Sequence, residues 1–193
     1  MKIPLILLTV ALAAIPAIAQ DTWEPYHFKD NERYEFKIVA PDDADPSKKK
    51  ESAFILDIRK KGEDDYDVSW TTKAMMKKAD LADKAMLGGV GAGVSPAWIA
   101  MNPLYMAFIN QVKLKENDKT NIMGVGTIEI GTKETLGGRT GFPLKLKMDQ
   151  NAKEVVVWEV TIDPELALPI KSVTYSDEGV EQFRMELTNY KKD

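Results

Sequence analysis

The sequence predicts a mainly β protein of the α+β class: a curved antiparallel sheet or half-open barrel with one or two helices in a central insert. Three observations lead there. Apolar and polar side chains alternate along two long runs, residues 33–70 and 127–190, which is the period of half-buried strands. Turn-forming residues punctuate both runs at short intervals. Between the runs lies a stretch without a single charge, led into by Lys73 to Leu87, which is rich in Ala, Met and Lys, residues that favour helix.

The amino end reads as an export signal. Lys2 supplies a positive start, Ile3 to Ile15 an apolar core, and Ala17-Ile18-Ala19 the small-x-small triplet of a cleavage site, so a cut after Ala19 is expected. No Cys stands near that cut, which leaves no thiol for a lipid tether. The alternative, a retained anchor, is disfavoured because Pro16 interrupts a stretch already shorter than the roughly 20 residues a span requires. Removing residues 1–19 from the 193 leaves 174, enough for one domain over 20–193, with the apolar insert at about 73–112.

Composition narrows the function. Lys2 leaves with the leader, so 25 basic residues face 30 acidic ones, a balance of −5. That mild acidity argues against nucleic acid and anionic lipid head groups as principal partners. The chain has no Cys, so disulfides, thiolate metal sites and cysteine nucleophiles are excluded together.

The elements follow in order. Gln20 to Lys29 is a polar leader carrying Trp23, Tyr26 and Phe28, expected to dock on a sheet edge. Tyr34, Phe36 and Ile38 alternate with Arg33, Glu35 and Lys37 in a first strand, and Pro41 to Lys50 reads as a solvated loop. Phe54, Leu56 and Ile58 mark a second strand, Lys60 to Asp65 a turn, and Tyr66, Val68 and Trp70 a third, together a meander. Lys73 to Leu87 reads as helix, stopped by Gly88-Gly89. A short second helix is expected from about Pro96 or Pro103 to Asn110, since proline suits a first turn. Strands return after a turn at Glu116 to Thr120: Thr127 to Ile130, Phe142 to Met148, Val155 to Ile162, Leu168 to Tyr175 and Val180 to Tyr190. The total is roughly seven to nine strands.

Between Lys84 and Lys113 there is no Asp, Glu, Lys or Arg. Met86, Leu87, Trp98, Met101, Tyr105, Met106 and Phe108 within it are the candidate ligand-lining residues, because flexible, polarisable Met beside aromatic rings suits an adaptable apolar pocket. Two other readings stand beside this one. The stretch can simply cap the core, as apolar residues at helical spacing usually do. It can also be a membrane span, which Pro96, Asn102 and Pro103 oppose.

Chemistry-bearing motifs are sparse. The glycines at 88, 89, 91 and 93 complete no phosphate-binding loop. His27 is the single histidine and lies in the leader, which argues against a triad and against zinc or copper. Asp57 and Asp67 are candidates to meet across the first hairpin as a carboxylate pair, the basis of a hydrolase reading. No cofactor and no metal site is expected.

One resemblance adds to this. The run Val157-Trp158-Glu159-Val160-Thr161-Ile162-Asp163-Pro164-Glu165-Leu166-Ala167-Leu168-Pro169-Ile170-Lys171, followed by a glycine-bearing polar turn and Phe183-Arg184-Met185-Glu186-Leu187-Thr188-Asn189-Tyr190, resembles the carboxyl-terminal part of the lipoprotein-carrier (LolA/LolB-type) half-barrel superfamily. The resemblance implies a strongly curved antiparallel sheet, open at one side, with helices closing an acyl-chain cavity. It implies no individual site residue. The expectation is therefore an exported, non-enzymatic protein that binds an apolar small molecule or lipid in a sheet-and-lid cavity, periplasmic or secreted. The alternatives are an envelope interaction module docking through the central segment and a hydrolase with paired carboxylates.

Overall fold

A computed structural model describes residues 23–42, 45, 47–74, 109, 112–122, 124, 126–150 and 153–193. Among these residues ten antiparallel strands make one open, curved sheet: β1 (Glu32–Pro41), β2 (Lys49–Lys60), β3 (Tyr66–Ala74), β4 (Lys119–Ile122), β5 (Gly126–Ile130), β6 (Glu134–Leu136), β7 (Arg139–Gln150), β8 (Lys153–Ile162), β9 (Lys171–Tyr175) and β10 (Glu181–Lys192). The order across the sheet is β3-β2-β1-β10-β9-β8-β7-β5-β4, with β6 paired to the start of β7. Two meanders, β1–β3 and β4–β10, are thus joined by a single seam in which β1 pairs with β10 from Glu32↔Lys192 to Val39↔Arg184. The predicted curved antiparallel sheet holds; the helices expected at Lys73 to Leu87 and from Pro96 or Pro103 to Asn110 fall almost wholly outside the described residues.

Alternation decides which side of each strand is buried. In β1, Tyr34, Phe36 and Ile38 are buried while Arg33, Glu35 and Lys37 face out. Register then carries the apolar face from strand to strand, since directly opposed residues share a face. Ile38 lies opposite Met185, Met185 opposite Ser172, Ser172 opposite Val160, Val160 opposite Leu144, and Leu144 opposite Ile130. The other face carries cross-strand ion pairs. Arg33 makes two bonds of 2.9 Å to the Asp57 carboxylate, Lys145 reaches Glu159 at 3.1 Å, and Lys37 reaches Glu51 at 2.7 Å. Each such exposed pair is worth well under about 1 kcal/mol, so they set register more than stability.

The structure departs from several sequence expectations, each for a local reason. β6 was not expected, yet Gly137-Gly138 form the tight two-residue turn that joins Leu136 to Arg139, with φ of 56° and 76°. Both angles lie in the left-handed region that primed hairpin turns need and glycine supplies. At Gly137 a Cβ would also come within 2.5 Å of the Leu187 carbonyl oxygen, so the turn tucks under β10. β4 starts at Lys119, inside the turn expected at Glu116 to Thr120, because Asn117 with φ of 58° completes the reversal earlier. Lys73 and Ala74 end β3 opposite Ala53 and Ser52 instead of opening a helix. Likewise β1 and β2 run on to Pro41 and Lys49, which shortens the first loop.

The largest departure lies between β8 and β9. Residues 168–170, expected in a strand, belong to a buried connection, and Leu166, Ala167, Leu168 and Ile170 are all core residues. Its backbone still finds partners: Ile170 N–H donates to Thr161 O at 2.9 Å, and Leu187 N–H donates to Ile170 O at 2.8 Å. The leader docks chiefly on this connection, and at the sheet edge Tyr66 OH of β3 donates to Phe28 O at 2.8 Å. Trp23 Nε1–H donates to Leu166 O at 2.6 Å, and Tyr26 N–H to Ala167 O at 2.8 Å. The expected signal peptide at 1–19 lies outside the described residues.

Candidate binding face

The apolar face is one surface spanning both meanders. On the β1–β3 side two rows of opposed residues run to the edge of the sheet: Thr72, Phe54, Phe36 and Leu187 in one, Trp70, Leu56, Tyr34 and Tyr190 in the other. Its middle is closed over. Phe36, Phe54, Leu144, Trp158, Val160 and Met185 are buried, and they pack in one cluster with Trp23 of the leader and with Leu166, Leu168 and Ile170. Ile109, Val112 and Leu114 belong to the same cluster, and Val112 N–H donates to Ile109 O at 2.9 Å. The carboxyl end of the neutral stretch therefore packs against this face. Towards β3 the cover ends: Val68 is 44% and Trp70 50% exposed, although Ile58 and Leu56 opposite them are buried.

Met86, Leu87, Trp98, Met101, Tyr105, Met106 and Phe108, the candidate lining residues, lie outside the described residues. The Asp57–Asp67 pair does not form. Asp57 lies opposite Ser69 and is held by Arg33, while Asp67 lies opposite Arg59, so the register offsets the two acids. His27 is exposed beside Glu24, at 3.6 Å. Among the described residues no cluster of three or more His, Cys, Asp or Glu is arranged to hold a metal ion.

A polar mouth that sequence reasoning missed closes one end of the face. Glu32 is buried at the start of β1. Tyr34 OH donates to Glu32 Oε2, Tyr190 OH donates to the same oxygen at 3.4 Å, and Lys29 N–H donates to Oε1 at 3.0 Å. Beside it, Arg139 bonds Asp163 at 2.7 Å and Glu165 at 2.6 Å and lies over the Tyr190 ring at 5.7 Å. A cleft of about 380 Å³ follows, lined by Lys133, Arg139, Thr140, Asp163, Pro164 and Glu165 among others. Both acids are engaged by one guanidinium, an arrangement that locks the connection in place and leaves neither carboxylate free as a base. The one sequence signal here was the Asp163-Pro164 turn; Arg139 and Glu32 carry no local pattern that marks them.

These tyrosines predict an alkaline weakness. Burial, then the hydrogen bond to Glu32, raises the Tyr34 hydroxyl far above its usual 10, and burial with the Glu32 charge pushes Tyr190 up to about 12. Groups raised in the folded state contribute stability that is whole below the unfolded value of 10 and is lost as pH rises through the folded one. Urea midpoints are thus expected to be flat from pH 7 to about 9.5 and to fall steeply from about pH 10 to 12, and Tyr34→Phe should blunt that fall while lowering the plateau by about 1–3 kcal/mol. A midpoint unchanged to pH 12 contradicts it.

No protein-family model matches the chain, and no curated protein matches it. Among solved structures it is similar to MucB, at 11% identity and a TM-score of 0.44 over 90% of this chain and 56% of that one. The complex of Pseudomonas aeruginosa MucA and MucB matches at 11% identity and 0.39, covering 89% and 53%. An exported protein of YmcC-like fold from Bacteroides fragilis matches at 11% identity and 0.38, covering 89% of this chain and 99% of that one. The chain spans little more than half the length of the MucB chains it matches. At these scores the likenesses assign no family and no activity. No helix among the described residues is long and apolar enough to cross a membrane.

Proposed function

We propose that this is an exported, non-enzymatic protein, periplasmic or secreted, that binds an apolar ligand, in the first place a lipid acyl chain, between the apolar face of its sheet and the neutral segment Met86 to Ile109. The observation that carries the reading is the continuity of that face across both meanders, with Ile109 and Val112, at the end of the uncharged stretch, packed into its cluster. The resemblance of residues 157–190 to the lipoprotein carriers agrees with it. Removing about 300 Å² of ligand apolar surface from water is worth about 7 kcal/mol before the costs of association, enough to retain a chain with few polar contacts.

The test is direct. Protein purified from its own cell envelope is expected to begin at Gln20, to release an apolar molecule on lipid extraction and to show the added mass in native mass spectrometry. A fluorescent acyl probe should bind, and Trp98→Asp or Met106→Asp should weaken it by about tenfold or more, because a carboxylate must then be desolvated in the site. An envelope-purified protein with no bound molecule and no affinity for the probe overturns the reading. The alternative, an envelope interaction module, is favoured by one observation, the uncovered Val68 and Trp70 at the end of the face.

A further inference from the structure

β3 is an edge strand of unusual openness. Every residue from Asp67 to Lys73 is exposed, and among the described residues nothing pairs with its outer side. Soluble proteins usually blunt such an edge with proline, a bulge or a dense run of charge, because a free row of N–H and C=O groups recruits another strand. Here the row is unbroken over nine residues, Tyr66-Asp67-Val68-Ser69-Trp70-Thr71-Thr72-Lys73-Ala74, and pairs with β2 without a bulge. Its apolar side carries two of the largest exposed hydrophobic residues, Val68 and Trp70.

The sequence of this edge is complementary to itself. Placed antiparallel to a copy with Trp70 at the centre, Asp67 of each strand falls opposite Lys73 of the other, Val68 opposite Thr72, Ser69 opposite Thr71, and Trp70 opposite Trp70. Neither Asp67 nor Lys73 has an ion-pair partner among the described residues of its own chain. A two-fold axis through the centre gives both charge pairs at once and puts the two indoles side by side on the same face of the joined sheet. We propose that a second copy of this chain docks on β3, continuing the sheet across a two-fold axis at Trp70 and joining the two apolar faces at their uncovered ends. The opposite-charge pairs fix the register, and one-residue slips are disfavoured because they would put each Trp70 on the wrong face of its partner. The interface is one strand wide, far smaller than a permanent dimer needs, so the association is reversible and concentration-dependent. This inference goes beyond the ligand reading and does not depend on it.

The absence of cysteine makes the test clean, since any introduced thiol is unique. In the proposed register the two residues at position 70 are about 5 Å apart at Cα, within disulfide range, whereas the two at position 68 are about 14 Å apart. The purified Trp70→Cys chain is expected to form a covalent dimer on mild oxidation, Val68→Cys to stay unlinked, and an equal mixture of Val68→Cys with Thr72→Cys to link. In sedimentation velocity, Asp67→Lys and Lys73→Asp should each weaken the dimer by about tenfold, since two attractive pairs become two repulsive ones, and the double exchange should restore it. All five positions are exposed, so circular dichroism should match the parent chain. A chain that stays monomeric up to its solubility limit overturns the proposal. So does a dimer indifferent to both reversals, or one that the double exchange fails to rescue. Cross-linking of Trp70→Cys to a foreign polypeptide without any self-linked species also overturns it and gives the edge to a different partner.

Discussion

Trp158→Ala is expected to lower the free energy of unfolding by about 3–5 kcal/mol. The indole sits in β8 at 1% exposure, opposite Leu146 on one side and Thr174 on the other, near the centre of the apolar face. Truncation removes most of its buried surface and leaves a cavity whose walls are strand backbone, tied on both sides and unable to collapse. It also removes the bond of 2.8 Å from Trp158 Nε1–H to the buried Ser172 hydroxyl. Trp158→Phe keeps much of the volume and loses that bond, so its cost should be nearer 1–2 kcal/mol, about what a buried hydrogen bond and a small void contribute. Urea unfolding at constant slope checks both values, and a loss below about 1 kcal/mol for the alanine variant contradicts the placement.

Trp23→Ala should cost a similar amount, about 3–5 kcal/mol, for a different reason. Trp23 belongs to no strand, and the 1% exposure of its side chain comes from being folded under the Asp163–Ile170 connection. Its indole N–H satisfies the Leu166 carbonyl, and Tyr26 N–H satisfies that of Ala167. Removing the indole unlatches the leader, so the connection loses its cover together with a hydrogen bond. Hydrogen exchange separates this from a uniform loss of stability. The Tyr26 amide should lose nearly all protection, while amides of the β7–β8 ladder should keep theirs apart from the global decrement. Equal protection losses at both places would mean that the leader does not act as a latch.

The parts of the fold that could be read from the sequence are those where burial imposes a period. Phe54, Leu56 and Ile58, or Phe142, Leu144 and Leu146, announce their strands because one face must be apolar and the next residue need not be. The parts that could not be read are set by contacts distant in the chain. Leu168 and Ile170 look like strand residues by composition, but Trp23, more than a hundred positions earlier, makes their segment an interior connection. β6 is too short for a period to show, and its only mark is the Gly137-Gly138 dipeptide, a hairpin signal that stands beside an apolar run of one residue, Leu136. The face itself was legible as alternating residues. The polar mouth was not, because Glu32, Arg139 and Tyr190 come from three strands and nothing in their local sequence links them.

The seam between β1 and β10 governs when the molecule can become itself. A ribosome releases β1 well before β10, so the strand that β1 must lie against is not available until all the strands between them in sequence have emerged. Until then β1, β2 and β3 are a three-stranded ribbon with a bare flank, and β4 to β9 a separate sheet awaiting its outer strand. Closing contacts of such sequence separation is slow, because the chain must surrender its freedom before the contacts repay it. A polypeptide built in this way stays open while its strands are emerging, and sets into its final shape only once β10 has come to lie against β1.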